Sequence, residues 1–352
     1  MKKGTRAVKN LKVAEDADKK PILLPLFIVK GREAGPTLLL NAAVHGDEPN
    51  VIKVVRKVAA AVEPARLRGT LIGVPIVNIP AYAAGLRCDP LDGKDMNRAF
   101  PGDRNGSMTE KIAHVFFNRI ALSSDYIIDL HSAAYPEAFL PHARVRVKDH
   151  SGQSMKMINA FGTEIVWEQK GSTGMLQVNA IKRKIPTITI EIGACGNLDK
   201  TGVKAGIEGV YNVMKTRGMM EGKARIPDYQ ILIRKKRPWL KSPIGGILET
   251  ETELGDIVRK GDFLAKILDP FSYDETDIAA PMNGIVAGLR KHPVVKTGTR
   301  VFLLLEYKKA RDRPGIDSRH LIKVPKLPNS VYRKNRLLER IAKIEGVSGN
   351  ID

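Results

Sequence analysis

The sequence has few cysteines, no long apolar run and a deficit of acidic residues, and each scarcity argues against a class of protein. Cys88 and Cys195 are the only cysteines among 352 residues, and they stand in no metal-binding spacing. Neither a disulfide framework nor a cysteine zinc site is supported, so we expect free thiols. The basic start leads into a charged segment, not the apolar core of a signal peptide, and no apolar run is long enough to span a bilayer. We therefore predict a cytoplasmic protein with no membrane partner.

The acidic deficit leaves a formal charge of +20, and much of it is near the C-terminus. Residues 308–343 hold twelve Lys or Arg and three Asp or Glu, which is nine of the twenty net charges. Such a basic tail (residues 308–352) could attract RNA, DNA or an anionic surface, or it could be a solvated extension. No recognition motif or aromatic platform accompanies the charges, so a nucleic-acid partner is an option only through this tail.

An alternation of strands and helices predicts an α/β catalytic domain over residues 1–224. Apolar runs indicate strands at 37–44, 70–79, 126–130, 143–147 and 187–192, and helical spacing indicates helices at 49–62, 107–121, 154–161 and 202–215. A long Gly/Pro/Asp-rich loop at 80–106 separates the second strand from the second helix. The alternation favours a mixed, mostly parallel sheet flanked by helices.

A small β domain is predicted over residues 225–307. Two similar stretches, 242–247 and 280–286, form an internal repeat that resembles the barrel-sandwich fold of biotinyl and lipoyl carrier domains. The segment 269–275 between the halves contains no lysine that could carry a cofactor. A structural or site-covering role is therefore favoured over a carrier role.

Three residues at predicted strand ends suggest a metal site. His45 and Glu48 follow the first strand, and His131 ends the strand at 126–130, where open α/β sheets place their ligand sites. Although a bare His-x-x-Glu pair is also common in surface turns, two imidazoles and a carboxylate leave a fourth position for water, as catalytic zinc requires. Asp129, two residues before His131, could orient an imidazole ring through a hydrogen bond to the nitrogen that does not bind the metal.

Four further residues have the chemistry of a hydrolase acting on a carboxylate-bearing substrate. Glu191 ends a strongly β-prone strand, where it could be the general base and acid or could form an ion pair at the rim. Asn97 and Arg98 in the long loop could grip a carboxylate. Arg87, in the same loop, could polarise the scissile carbonyl.

The four motifs together resemble the succinylglutamate desuccinylase and aspartoacylase family, which is similar to zinc carboxypeptidases. They are His45-Gly-Asp-Glu48, Asp95-Met-Asn-Arg-Ala-Phe-Pro-Gly102, Asp129-Leu-His131 and Glu191-Ile-Gly193, and the resemblance covers roughly residues 35–307. It implies one Zn²⁺ per chain on His45, Glu48 and His131. It also implies that Asn97 and Arg98 bind the substrate carboxylate, that Arg87 binds the carbonyl, and that Glu191 is base and acid.

The implied reaction is hydrolysis of a small N-acyl amino acid or a related amide. An arginine that would select an acidic acyl group is not assigned, although Lys182 and Arg183 are candidates. Two alternatives stay open: a carboxypeptidase acting on peptides, and a non-catalytic anion- or nucleic-acid-binding protein on the same scaffold. Homo-oligomerisation is also left open.

Overall fold

The computed structural model of the chain describes residues 1–146, 149–193, 199–233, 239–306, 321–323, 330–333 and 336–344. Cys195 and most of the predicted basic tail lie outside these residues. The described strands form one ten-stranded sheet, two smaller antiparallel sheets and a parallel pair. None of the described helices combines the length and the apolarity needed to cross a bilayer.

The first two thirds of the chain alternate between strands and helices. In order, the elements are β1 (Thr5–Glu15), β2 (Pro21–Lys30), β3 (Glu33–Asn41), α1 (Pro49–Ala61), β4 (Arg68–Val74), α2 (Ile79–Ala84), α3 (Met108–Arg119), β5 (Tyr126–His131), β6 (Glu137–Phe139), β7 (His142–Val145), α4 (Gln153–Phe161), β8 (Ile165–Glu168), α5 (Leu176–Lys182), β9 (Thr187–Glu191) and α6 (Lys200–Thr216).

The remaining elements are mostly short strands. They are β10 (Ala224–Pro227), β11 (Tyr229–Ile233), β12 (Leu240–Lys241), β13 (Gly246–Thr250), β14 (Ile257–Val258), β15 (Phe263–Leu268), β16 (Glu275–Ala279), β17 (Gly284–Arg290), β18 (Val294–Val295), β19 (Arg300–Glu306), β20 (Leu321–Lys323), β21 (Ser330–Arg333) and α7 (Arg336–Ile344).

The large sheet has the order β1-β2-β4-β3-β5-β9-β7-β8-β11-β20. Five neighbouring pairs are parallel, including β3 with β5 and β5 with β9, which confirms the predicted α/β class. Leu38 and Leu40 pack with α1, α4 and α6, whereas Leu39 packs with α3 and α5. This alternation shows that helices cover both faces of the sheet.

The predicted long loop and the strand before it differ from the structure. The strand ends at Val74, and a short helix, α2, occupies the start of the expected loop. Asn78 caps this helix, because its side chain accepts a hydrogen bond from the Ala81 N–H (3.3 Å) and Pro80 lies in the first turn. The apolar residues after Val74 therefore belong to a turn and to α2 and not to the strand.

The two smaller antiparallel sheets pack over a shared apolar core, as the predicted β domain requires. One contains β12, β19, β17 and β14, with β6 added to β17, and the other contains β16, β15, β13 and β18. Their core includes Leu264, Val286 and Phe302. Two strands pair across the predicted domain boundary at residue 224. β11 follows this residue but pairs with β8 in the large sheet, whereas β6 precedes it but pairs with β17 in a smaller sheet. The domain limits at 224 and 307 stay predictions.

Candidate active site

The turn after β3 places His45 and Glu48 at one edge of the large sheet. The chain bends at Ala43, which has a φ of 49°, and Gly46 then passes against the backbone of α2. A Cβ on Gly46 would lie 2.1 Å from the carbonyl carbon of Ala81, so only glycine fits. Glu48 is the N-cap residue of α1, where the helix dipole favours a carboxylate.

His131 and Glu191 end neighbouring parallel strands, and they are directly paired in the register of β5 and β9. Residues opposite each other project from the same face of a sheet, so both side chains reach the edge occupied by His45 and Glu48. All four residues are buried. The expectation that the strand ends bring these residues together is therefore met in the geometry.

His45, Glu48 and His131 form a compact group that could hold a metal ion. One ligand atom from each lies within 4.8 Å of the other two. Glu48 Oε1 is 2.7 Å from His45 Nδ1, and Glu48 Oε2 is 3.1 Å from His131 Nδ1. Two imidazole nitrogens and a carboxylate fit a catalytic zinc site with one open position, so the donor set fits the expected group.

Aspartates orient both imidazoles from the opposite ring nitrogen. His131 Nε2 lies 3.1 Å from Asp129, as the sequence suggested, and His45 Nε2 lies 3.0 Å from Asp95, a contact that the sequence analysis missed. Asp129 also accepts a hydrogen bond of 2.6 Å from the buried Asn41 side chain. Such contacts fix the ring orientation and leave Nδ1 facing Glu48.

Mutual electrostatics keep Glu48 ionised although it is buried. Burial opposes ionisation of Glu48, but the two histidines outweigh it and hold the pKa of Glu48 well below its usual range. Burial likewise lowers the pKa of His131, but Asp129 and Glu48 outweigh it and raise that pKa well above its usual value. Glu48 is therefore an ionised carboxylate, the form that binds a cation.

Glu191 is ionised and held by an arginine. Burial alone would raise the pKa of Glu191, but Arg144 overcomes this effect and lowers it. Arg144 Nε is 2.9 Å from Glu191 Oε1 and 3.2 Å from His142 Nε2. The ion pair considered for Glu191 is thus present, and it involves a residue that faces the same cavity as the metal-binding group.

Asn97, Arg98 and Arg87 line the same cavity, which has a volume of about 600 Å³. The Asn97 side chain is fixed by the Leu176 N–H at 3.0 Å, and its Nδ2 lies 3.4 Å from His131 Nε2. Arg98 donates to the Asn97 carbonyl at 2.8 Å, and Arg87 lies 3.2 Å from Asp95. All seven predicted site residues therefore border one cavity.

The β7 wall of this cavity was not predicted, and the two candidate selectivity residues lie elsewhere. Arg144 and Arg146 line the cavity beside Glu191, whereas Lys182 and Arg183 are exposed near the end of α5 and are not among the lining residues. A usable signal was the alternation His142-x-Arg144-x-Arg146, which overlaps the predicted strand 143–147, because alternate residues of a strand share a face. Residues 147 and 148 lie outside the described part of the chain.

Comparison with known proteins identifies the family to which the chain belongs. Residues 34–217 match the succinylglutamate desuccinylase/aspartoacylase catalytic domain. The chain belongs to the succinylglutamate desuccinylase/aspartoacylase family. It is 30% identical over 295 residues to the N-alpha-acetyl-L-2,4-diaminobutyric acid deacetylase of Halomonas elongata, which covers 81% of this chain and 86% of that protein.

Solved structures of the succinylglutamate desuccinylase/aspartoacylase fold superpose on most of the chain. The product-bound ectoine utilization protein EutE (DoeB) of Ruegeria pomeroyi has a TM-score of 0.75 and 26% identity, covering 85% of this chain and 94% of that one. A succinylglutamate desuccinylase/aspartoacylase of Rhodobacter sphaeroides has the same TM-score at 24% identity, covering 86% and 96%. The predicted zinc-carboxypeptidase-like fold is confirmed.

Proposed function

We propose that this protein is a zinc-dependent hydrolase that cleaves the amide bond of a small N-acyl amino acid. The observation that carries the proposal is the convergence of the His45, Glu48 and His131 group with Glu191, Asn97 and Arg98 in one cavity. Family membership supports the same reaction class, because the Halomonas relative is named as a deacetylase of an N-acetyl amino acid.

His45, Glu48 and His131 would hold one Zn²⁺, which supplies a Lewis acid that polarises the acyl carbonyl and activates water. Glu191 takes the proton from the attacking water and passes it to the leaving amine nitrogen. The ion pair with Arg144 suits the first of these steps, since it keeps Glu191 deprotonated and aimed into the cavity.

Asn97 and Arg98 bind the carboxylate of the substrate. The Asn97 side chain is fixed by its contacts with His131 in β5 and Leu176 in α5. The Arg98 side chain is held by its hydrogen bond to the Asn97 carbonyl, so both donors are oriented before the substrate binds. Arg87 donates to the carbonyl oxygen as negative charge develops on it. Its position 3.8 Å from Glu48 supports this role, because it borders the metal-binding group directly.

The cavity favours a small amide over a long peptide. One side of the cavity is lined by residues of the smaller antiparallel sheets and of the segment just before β12. These residues are Phe139, Arg300 and Trp239. A volume of about 600 Å³ is typical of small-molecule sites. A cytoplasmic location, a homo-oligomer and a nucleic-acid partner for the basic tail stay predictions.

The test is to measure metal content and hydrolysis on one preparation, before and after chelation. The substrates are N-acyl amino acids with acidic, neutral and basic side chains, together with short peptides. We expect about one zinc per chain and amide cleavage that is lost on chelation and restored by zinc. Absence of both metal and cleavage after zinc is restored would contradict the proposal, and faster cleavage of peptides would favour a carboxypeptidase.

A further inference from the structure

The C-terminal helix α7 packs against the protein through one face. Leu337 and Ile341 lie four residues apart, so they share this face, and they are 8% and 0% exposed. Arg336, Glu339 and Lys343 are exposed on the same helix. Apolar burial therefore anchors this part of the basic tail to the protein.

Two carboxylates hold α7 between the large sheet and the smaller sheet that contains β14, β17 and β19. Glu164, just before β8, accepts hydrogen bonds from the Arg336 N–H at 3.0 Å and the Leu337 N–H at 3.1 Å. N–H groups in the first turn of a helix have no partner within the helix, and the helix dipole favours a carboxylate there. Asp256, just before β14, lies 3.5 Å from the Arg340 guanidinium group. The helix is thus tied to both sheets.

Leu337 and Ile341 belong to an apolar core between these two sheets. The core takes residues from β8 and β11 of the large sheet and from β17 and β19 of the smaller sheet. They include Ile165, Ile233, Ile285 and Leu305. Protein cores are close-packed, so a loss of side-chain volume at one position shifts the residues around it. A change on α7 should therefore be felt throughout this core.

The same core supports an aromatic wall of the active-site cavity, formed by Phe139, Trp167 and Trp239. All three side chains are partly buried, pack against the core and also line the cavity. The ring centroids of Phe139 and Trp239 are 5.8 Å apart. The His142 ring lies between Phe139 and Trp167, with centroid distances of 5.7 and 5.8 Å. The aromatic wall thus connects the core that contains α7 to the cavity.

We propose that Leu337 and Ile341 are positioning residues for the aromatic wall, so that the C-terminal helix sets the shape of the active-site cavity. None of the described residues of α7 lines the cavity, so the helix acts through the core alone. A wall that is held in one arrangement by close packing is oriented before the substrate binds, and this lowers the cost of binding. The effect on catalysis rests on the proposed hydrolase function, whereas the effect on the wall does not.

Tryptophan fluorescence tests the wall directly, because Trp167 and Trp239 are the only tryptophans of the chain. Ile341→Ala removes buried volume, and Lys343→Ala is the matched control, since it places alanine at an exposed position of the same helix. In the folded, full-length, metal-free protein, we expect Ile341→Ala to shift the emission maximum to longer wavelength and to increase quenching by acrylamide, because looser packing admits water to the indole rings. Lys343→Ala should match the parent. Ile341→Val removes only one methylene group and should give a smaller change in the same direction, so it serves as the test if the alanine variant does not fold.

Kinetics of the zinc-loaded protein tests the consequence for the site. For the N-acyl amino acid that the parent cleaves best, we expect KM to rise about 10-fold in Ile341→Ala while kcat changes less than about threefold, because the wall shapes the space for the substrate and does not hold the metal-binding group. A merely structural helix would lower the urea midpoint and leave the emission and KM of the folded variant unchanged, which would overturn the inference. A shifted emission with unchanged KM would overturn the effect on substrate binding. Fluorescence requires no hydrolysis, so an unchanged emission overturns the inference even if the protein cleaves no amide, whereas a shifted emission without any cleavage by the parent would count against the proposed function alone.

Discussion

Replacing Glu191 by glutamine tests the proposed base most directly. Glutamine has the same shape and can still accept a hydrogen bond from Arg144, but it cannot take a proton from water. General acid–base catalysis contributes about 100- to 10,000-fold, which corresponds to about 3 to 5 kcal/mol of activation free energy. We therefore expect kcat to fall by that factor while the zinc content stays near one per chain, because Glu191 is not in the metal-binding group.

The same substitution should cost stability through the arginines. Glu191 is 7% exposed and carries the negative charge that Arg144 and Arg146 share. A hydrogen bond to a charged group contributes about 1.5 to 3 kcal/mol, and we expect a loss at the lower end. Glutamine keeps a hydrogen bond to Arg144 and loses only the charge, and the Arg144 side chain is 18% exposed to the cavity. Urea unfolding of metal-free protein measures this loss without interference from zinc.

The assay pairs single-turnover hydrolysis with metal analysis on the same sample. Hydrolysis within about threefold of the parent rate would refute the role of Glu191 as base. Loss of zinc together with activity would refute the reasoning in a different way, because it would make Glu191 a ligand. His131→Ala is the positive control for metal loss, since it removes one of the three proposed ligands.

Three further predictions follow from individual contacts. Asp129→Asn should weaken zinc binding about 10- to 100-fold in equilibrium dialysis, because Asp129 orients His131 at 3.1 Å, and unchanged affinity would contradict that role. Arg98→Ala should raise KM about 10-fold or more for carboxylate-bearing substrates, whereas an equal loss on a neutral amide would argue against carboxylate binding. His142 has a folded pKa of about 4, below its usual 6.5, so the unfolded chain binds an extra proton between these values and the free energy of unfolding falls as pH falls through this window. His142→Gln should recover about 2 to 3 kcal/mol of the stability that the parent loses between pH 7 and pH 4.5, measured by urea unfolding.

The sequence was informative where function depends on strand ends. Hydrophobic runs indicated the positions of β3, β5 and β9. Because ligand sites lie at the carboxyl ends of parallel strands, these positions predicted that His45, His131 and Glu191 lie close together. The helix predicted to begin at residue 107 is also present as α3, and the Ser107 N–H before it donates to the Glu110 carboxylate at 2.8 Å, as in a capping box. In each case a local pattern was sufficient because it depends only on residues close together in the chain.

The sequence was less informative where pairing is not local. Arg183 is eight residues from Glu191 in the chain, yet it lies exposed after α5, whereas Arg144 is 47 residues away and contacts Glu191. The difference arises because β7 runs antiparallel to β9, with His142 opposite Glu191, and no local spacing indicates that register. The N-terminal strands β1 and β2 were also missed, although they pair locally as a hairpin at the edge of the large sheet.

A continuous chain of polar contacts explains how the buried group of His45, Glu48 and His131 keeps its geometry. Consecutive contacts of 2.6 to 3.2 Å join Asn41, Asp129, His131, Glu48, His45, Asp95 and Arg87. Asn41 is fully buried in β3, whereas the side chain of Arg87 is 39% exposed. The core therefore fixes the His131 end of the group, because each buried side chain there has a defined partner. The more exposed Arg87 end can adjust to the substrate, as its proposed role in stabilising the carbonyl oxygen requires.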